Sequence, residues 1–301
     1  MGISINGLAA KSFVSYIGSK DGNTLMYYSN INIFVNIAAT LGPLLGTYLL
    51  SEKMSSYVFQ ISGIFFILSG IIVLLFLNIT EQCELPNKSI NFWNGYKSVL
   101  LNYDYLKFLF FNMFGWFFYA QLFASLPYFV NTYYGVEKKL GMLYTLNALM
   151  IIFLQLIVSS LIRRYIPDGK ENYRLLLVFT LFSVSFLSAG IFNSFYGLFI
   201  TIIVFTFAEM IFTPLVDTLV SKYVDSNLRT TYFSILGLFT AIGEGSGNYF
   251  GLRLLGFWGN LNHHMYFWLT LAALATSISL VLLVVVRKRN IYSEKNLNGG
   301  L

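Results

Sequence analysis

Charged residues are scarce in this 301-residue chain. Asp, Glu, Lys and Arg make up only 11% of it, against about 25% in an average soluble domain. Hydrophobic residues reach 56% and aromatic residues 18%, with 30 phenylalanines. A globule of this size cannot bury so much apolar surface, so lipid has to cover part of it. The composition therefore excludes an ordinary soluble domain and indicates a protein that lies in the lipid bilayer.

Cysteine is nearly absent as well. Because Cys83 is the single cysteine, the chain can form neither an intramolecular disulfide bond nor a zinc site built from cysteines. The net charge of +6 comes from basic residues dispersed between apolar runs, without the basic stripe that binds nucleic acid. The sequence has no nucleophile elbow, phosphate-binding loop or His-Glu-x-x-His zinc motif. We therefore expect no enzyme activity, no metal ion, no cofactor and no nucleic-acid partner.

Long apolar runs dominate what is present. A helix needs about 20 mostly apolar residues to cross a bilayer. Eight such runs occur, near residues 25–50, 55–78, 106–131, 139–163, 172–193, 195–221, 230–256 and 263–286. The sequence thus predicts an all-α polytopic membrane protein, a helical bundle with eight full transmembrane helices.

The distribution of Lys and Arg predicts the orientation, because cytoplasmic loops are enriched in these residues. If the long connection at 79–105 is cytoplasmic, fifteen of the 19 basic residues lie on that side. The others are Lys53, Lys138, Lys139 and Arg253. We therefore predict a cytoplasmic C-terminus.

An internal repeat predicts the organisation of the chain. Residues 27–50 can be laid over residues 232–255, and this places Gly42 on Gly247 and Gly46 on Gly251. The repeat predicts two membrane halves with a connection between them. The predicted parts are the remainder of an N-terminal six-helix half at 1–78 (helices four to six), a cytoplasmic linker at 79–105, a C-terminal six-helix half at 106–287 and a cytoplasmic tail at 288–301.

The first half lacks counterparts for the first three helices of the second. Residues 1–10 then correspond to the end of a helix, and ten helical residues span about 15 Å, half a bilayer. The repeat thus predicts a partial first helix, so that the chain begins partway through a span. The alternative is a short segment outside the membrane before an eight-helix protein.

Two parallel six-helix repeats joined by a cytoplasmic loop are the arrangement of the major facilitator superfamily. Residues 42–47, Gly-Pro-Leu-Leu-Gly-Thr, resemble the fifth-helix motif of its drug-exporting members, with threonine in place of the last glycine. The glycine-rich residues 243–251 resemble the eleventh helix of the family. Residues 119–128 and 144–155 are similar to helices seven and eight of bacterial drug-efflux members. The chain thus resembles a bacterial multidrug-resistance transporter that lacks its first three helices.

The resemblance implies a secondary transporter that exports small amphipathic molecules or drugs in exchange for protons, by alternating access. Its partners would be the lipid bilayer, a small-molecule substrate and protons. Its location would be the plasma membrane, the inner membrane of a bacterium. Three alternatives stay open: import instead of export, coupling to sodium ions instead of protons, and a truncated, non-transporting membrane module that assembles with another chain.

Two acidic residues, Glu209 and Glu244, lie near the centres of predicted spans. A charged side chain there costs about 2.5–3.5 kcal/mol or more and persists only where it meets water, a partner or a proton. Both are therefore candidates for proton coupling. We favour Glu209, because it lies on the span that corresponds to the tenth helix of the family, and that helix lines the central cavity. Glu244 lies among glycines, where a structural hydrogen bond across a helix interface is the alternative.

Further candidates follow from polarity and size. Side chains that could line a substrate cavity are Gln121, Asn147, Gln155, Trp116 and Tyr119. The alternative for each is a hydrogen bond or a packing contact between helices. Residues that could let helices approach closely, or move against each other, are Gly42, Pro43, Gly46, Gly243, Gly247 and Gly251. Asp217 and Arg229 are candidates for a cytoplasmic gate, with an ordinary solvated face as the alternative.

Overall fold

The structure, a computed structural model, describes residues 2–51, 55–76, 92–135, 140–192, 194–223, 228–261 and 263–298. Within these ranges the chain is helical apart from short turns and contains no strand, which confirms the predicted all-α fold. The elements are α1 (Gly2–Asp21), α2 (Thr24–Ser51), α3 (Ser55–Phe76), α4 (Phe92–Leu100), α5 (Tyr103–Tyr119), a 3₁₀ turn (Ala120–Leu122), α6 (Ser125–Phe129), a π-helical turn (Val130–Tyr134), α7 (Leu140–Tyr165), α8 (Glu171–Ile191), α9 (Gly197–Tyr223), α10 (Arg229–Asn260) and α11 (Met265–Asn298).

Six of the predicted spans are confirmed by both length and composition. In the described part, the stretches long and apolar enough to cross a membrane are Ser56–Leu75, Tyr103–Tyr134, Leu140–Tyr165, Glu171–Ile191, Gly197–Tyr223 and Met265–Arg287. The other two predicted spans are α2 and α10, with 28 and 32 residues. At 1.5 Å per residue both exceed the roughly 30 Å of the hydrocarbon core. Their lower hydropathy comes from polar residues and glycines, several of which contact other helices.

The first helix is longer than predicted. α1 continues past the expected residues 1–10 to Asp21, and the loop expected before α2 shrinks to two residues. Gly22 has a φ of +72°, a left-handed conformation that ends helices and that glycine adopts without strain. Apolar periodicity did not reveal this extension because α1 carries Lys11, Ser12 and Lys20 beyond residue 10.

Two further boundaries differ from the prediction. α11 continues to Asn298, so most of the predicted tail at 288–301 is helical. Within the predicted linker, α4 occupies residues 92–100, while residues 77–91 lie outside the described part. The division into two halves is not altered by these differences and stays a prediction.

The span predicted at 106–131 is broken. α5 ends at Tyr119, and α6 begins only after a 3₁₀ turn and two further turn residues. Pro127 has no N–H with which to bond the carbonyl four residues earlier, which weakens the helix here. The hydroxyl of Tyr144 on α7 donates to the Leu122 carbonyl at 2.9 Å, so a contact between helices compensates for part of the interrupted backbone pairing.

Packing places the N-terminal helices on the helices of the second half of the chain. α8 packs against α9 and α11, α7 against α9, and α10 against α5. α2 packs against α7 and α9, and α1 contacts α9 and α10. α3 packs on α2, and none of its described side chains is buried. The N-terminal helices α1 and α2 therefore lie directly on the C-terminal bundle, and α9 stands at the centre of these contacts.

Candidate functional site

Glu209 lies in the middle of α9, and its carboxylate is hydrogen-bonded to two other helices. Its side chain is buried, with 1% of the residue exposed. Oε2 accepts a hydrogen bond from Nδ2 of Asn147 on α7 at 2.7 Å, and Oε1 accepts one from the hydroxyl of Tyr119 on α5 at 3.1 Å. The Asn147 amide also donates to Oγ1 of Thr206 at 2.9 Å. Three helices thus meet at one carboxylate.

The charge of Glu209 has neutral neighbours. None of the ion pairs among the described residues involves it. A buried carboxylate without a counter-charge is costly, and neutral hydrogen-bond donors offset only part of the cost. Gain or loss of a proton, or arrival of a cation, would therefore change the local free energy. Such a group is suited to coupling an ion to a movement of helices.

Aromatic side chains form a wall beside this carboxylate. The rings of Trp116 and Tyr119 meet edge to face with centroids 5.0 Å apart. Phe123 and Tyr144 stack next to them, at 6.1 Å and an interplanar angle of 10°. The indole Nε1 of Trp116 is buried and makes no hydrogen bond within the described part. The wall therefore combines apolar surface with the unpaired N–H of Trp116. An acceptor group on an amphipathic ligand could hydrogen-bond to this N–H.

The other candidates for the cavity lie elsewhere. Gln121 is buried between α5 and α10, where its amide donates to the carbonyls of Phe117 at 2.8 Å and Gly247 at 3.0 Å. Gln155 is buried between α2, α7 and α9. Neither side chain faces the Glu209 carboxylate. Glu244 lies on α10, half-buried, and makes no hydrogen bond to another described residue, although its charge acts on the nearby Tyr119 hydroxyl.

The predicted glycines fall into two groups. Gly243 and Gly247 lie against α5, where an added Cβ on Gly247 would stand 2.6 Å from the Phe117 carbonyl oxygen, and Gly251 lies against the 3₁₀ turn and the start of α6. Gly42 on α2 has no atom within 4 Å of such a Cβ. The surroundings of Pro43 and Gly46 lie outside the described residues. These three glycines thus permit close packing of α10 on α5 and on the segment that follows it, and a role in movement stays a prediction for the set.

The predicted cytoplasmic end of the bundle carries a second polar cluster, which we call the end latch: Lys11, Ser15, Tyr28, Asp217 and Arg229. Nζ of Lys11 lies 2.9 Å from Oδ1 of Asp217, and Arg229 donates to Oγ of Ser15. The hydroxyl of Tyr28 donates to the Lys11 carbonyl at 2.8 Å. The two predicted gate residues are therefore both present in the latch, but each binds α1 instead of the other.

We expect Asp217→Asn to open this end more often. The change removes the charge attraction to Lys11, and an ion pair with one half-exposed partner is worth at most about 1 kcal/mol, or roughly a fivefold shift in an equilibrium. The measurement is the rate at which a membrane-impermeant thiol reagent labels a cysteine at the buried position Thr218, in a Cys83→Ser background. Labelling should accelerate by up to that factor.

The matched control for Asp217→Asn is Lys107→Gln. Lys107 forms an exposed ion pair with Asp104 on its own helix, at 3.4 Å, so its loss should leave the labelling rate unchanged. An unchanged rate in Asp217→Asn as well would show that the ion pair does not hold the end closed.

Sequence reasoning missed several of these residues. Lys11 and Asp217 are 206 positions apart, and no spacing rule connects a lysine in a predicted loop with a carboxylate that far away. Ser15, Tyr28 and Thr206 are ordinary polar residues of helices and carry no motif. The cluster around Glu209 could be predicted in part, because both Glu209 and Asn147 are polar residues within predicted apolar spans.

Two curated proteins are similar to this chain in overall sequence. The chain is 23% identical over 257 residues to the Multidrug resistance protein MdtH of Blochmanniella floridana, an alignment that covers 85% of this chain and 62% of that protein. It is 24% identical over 250 residues to the Uncharacterized MFS-type transporter YqjV of Bacillus subtilis (strain 168), covering 81% and 59%. The chain therefore spans about three-fifths of the length of these relatives.

The fold is similar to that of a solved transporter. The crystal structure of the human organic anion transporter MFSD10 (TETRAN) matches with a TM-score of 0.69, covering 91% of this chain and 67% of that one at 18% identity. The likeness at this identity concerns the fold alone. The family model for the Major Facilitator Superfamily matches residues 19–247, which is well over half of the chain. On this match, and with a helical bundle of the same fold, the chain belongs to the Major Facilitator Superfamily.

Proposed function

We propose that this chain works in a secondary active transporter that exports small amphipathic molecules or drugs in exchange for protons. Membership of the family supports secondary transport in general. One relative is named a multidrug resistance protein, which favours export of drug-like molecules. Because the chain spans about three-fifths of its curated relatives, the activity is proposed for the protein in its native membrane.

The observation that carries the proposal is the Glu209 cluster. One buried carboxylate joins α5, α7 and α9 through neutral donors, beside an aromatic wall. A proton bound there would remove a buried charge, and a cationic or polar ligand against the wall could take the place of that proton. Competition between proton and ligand for one group is sufficient to couple their movements in opposite directions.

The positions of the contacts to α2 support alternating access. Tyr28, Ser29 and Asn32, in the first half of α2, bind residues of α1, α7 and α9. Leu41 and Leu45, in the second half, are exposed. The contacts thus concentrate toward the predicted cytoplasmic end, where the end latch lies. We infer that the structure represents the state closed at that end.

The proposal is tested by flux in liposomes. The full chain, purified from its native membrane, is reconstituted into liposomes with an acidic interior, and uptake of ethidium is followed by fluorescence. We expect uptake that stops when a protonophore collapses the pH gradient. Uptake that continues at the same rate after the protonophore would contradict proton coupling. Absence of any uptake by a correctly folded sample would favour the non-transporting module instead.

We further propose a location in the inner membrane of a bacterium, with a cytoplasmic C-terminus. The excess of basic residues at the end of the bundle that carries the latch supports this orientation. Green fluorescent protein fused after residue 301 should fluoresce, because it folds in the cytoplasm, while alkaline phosphatase at the same point should stay inactive. The reverse pattern would overturn the orientation.

A further inference from the structure

Pro214 interrupts the hydrogen-bond ladder of α9. An α-helical N–H normally bonds the carbonyl four residues earlier, and proline has no N–H. The carbonyl left free by Pro214 is that of Met210. Nε2 of Gln155, on α7, donates to this carbonyl at 2.8 Å. A buried side chain from another helix therefore replaces the missing backbone bond of α9.

The same glutamine also binds the N-terminal segment. Its Oε1 accepts a hydrogen bond from Nδ2 of Asn32 on α2 at 2.8 Å. Its Nε2 donates in addition to Oγ of Ser159 at 3.0 Å, and Ser159 is 2.7 Å from Oγ of Ser29 on α2. Gln155 is completely buried, and both ends of its amide are occupied. One amide thus joins α2, α7 and α9.

The position of this junction along α9 relates it to the proposed coupling site. Met210 directly follows Glu209, so Asn147 and Gln155 on α7 hold consecutive residues of α9, one by its carboxylate and one by its carbonyl. Asp217 of the end latch lies beyond the proline, about one turn further on. The proline break therefore separates the coupling carboxylate from the latch carboxylate within a single helix.

Among the described residues, only a small crevice lies beside the weakened ladder. It has room for about one water molecule, about 10 Å³, and borders Pro214 and Leu215 of α9, Ser159 of α7 and Arg174 of α8. Leu215 and Val216 of α9 are buried here. A movement of α9 at Pro214 therefore relies on the missing backbone bond and on the hydrogen bonds of Gln155, not on empty space.

We propose that Gln155 is a positioning residue that connects the proton state of Glu209 to closure of the end latch. When Glu209 changes its hydrogen-bond partners, α9 shifts at the Pro214 break. Gln155 follows the Met210 carbonyl and changes its bond to Asn32. The contact of α2 with α7 and α9 then opens or closes together with the end latch. This inference rests on the proposed proton-coupled transport.

Two substitutions separate the positioning role from simple stability. Gln155→Leu leaves the buried Met210 carbonyl unpaired and should lower the melting temperature, because an unsatisfied buried acceptor is costly. Adding Pro214→Ala supplies an N–H that can bond this carbonyl and should restore the melting temperature. The double variant has a complete backbone hydrogen-bond ladder in α9 but no link to Asn32.

The readout is the distance between spin labels at the predicted cytoplasmic end. Cysteines replace the exposed Ser19 on α1 and Thr230 on α10 in a Cys83→Ser background, with the full chain in liposomes. Glu209→Gln should change the ratio of closed to open populations about fivefold or more, the lower range of coupling between two sites. In the double variant Gln155→Leu, Pro214→Ala the same change at Glu209 should leave the ratio unaltered.

Gln121→Leu is the matched control. Gln121 is equally buried and also donates to a carbonyl of a neighbouring helix, but it joins α5 to α10 and has no link to α2. Its loss should lower the melting temperature while the response to Glu209→Gln persists.

The outcomes distinguish this inference from the proposed function. A response that persists in the stable double variant would overturn the role of Gln155 and leave proton coupling by Glu209 intact. Absence of any response to Glu209→Gln in the parent protein would overturn the proposed coupling itself, and the role of Gln155 with it. A response that is lost in the double variant and kept in Gln121→Leu supports the inference.

Discussion

Glu209→Gln is expected to abolish uptake driven by a pH gradient while exchange of substrate across the membrane continues. Glutamine has the shape of the protonated carboxyl group and can accept from Asn147 and hydrogen-bond Tyr119, so the cluster stays assembled. It cannot release a proton, so the energetic link between proton and substrate disappears. Coupling between two sites corresponds to about 5- to 150-fold in equilibrium, and we expect a loss of at least tenfold, about 1.4 kcal/mol. Gradient-driven and counterflow uptake in the same liposomes measure the two effects.

Glu244→Gln is the matched control for this experiment. Glu244 is the other carboxylate near the centre of a predicted span, but it is only half-buried and bonds no other described residue. Its substitution should leave gradient-driven uptake largely intact. If Glu244→Gln abolishes this uptake and Glu209→Gln does not, the coupling role belongs to Glu244. Tyr119→Phe, which removes one of the two donors to Glu209, should give an intermediate loss.

Gly247→Ala is expected to destabilise the protein strongly for so small a change. The added Cβ would stand 2.6 Å from the Phe117 carbonyl oxygen and 2.9 Å from Cβ of Ala120. These are backbone and fixed atoms of α5 and of the 3₁₀ turn that follows it, so α10 has to move away from them. Overpacking of this kind costs about 1–3 kcal/mol. We expect a lower melting temperature of the purified protein in detergent, measured by circular dichroism.

Gly245→Ala provides the comparison on the same helix. An added Cβ at Gly245 meets no atom within 4 Å, and alanine is favoured over glycine in a helix interior by about 0.5–1 kcal/mol. The melting temperature should therefore be equal or higher. Equal melting temperatures for Gly247→Ala and Gly245→Ala would show that the close approach of α10 and α5 does not limit stability.

Hydropathy predicted most of the helices correctly, because lipid requires an apolar side chain at nearly every position of a span that faces it. It was less informative for α1, where Lys11 and Lys20 end the apolar pattern although the helix continues to Asp21. It also missed the break after Tyr119, which depends on Pro127 and on a hydrogen bond from Tyr144 on another helix. Such contacts involve residues whose partners are not neighbours in the sequence.

The candidate site divides in the same way. A carboxylate in the middle of an apolar run costs free energy unless it meets water, a partner or a proton. This cost depends only on the local sequence, so Glu209 and Glu244 could be recognised from the sequence. Which of the two is enclosed depends on tertiary packing, because α5 and α7 meet α9 at Glu209. This arrangement cannot be deduced from the sequence.

The same limit applies to the latch and to Gln155. Asp217 was visible as a charge near a helix end, but its partner Lys11 is 206 positions away. A proline within α9 was visible too, yet the glutamine that binds the freed carbonyl comes from α7 and reaches on to α2. The sequence alone determines which spans are helical and which of them contain a charged or proline residue. The pairing of distant polar groups is decided by helix packing, which brings together residues that are far apart in the sequence.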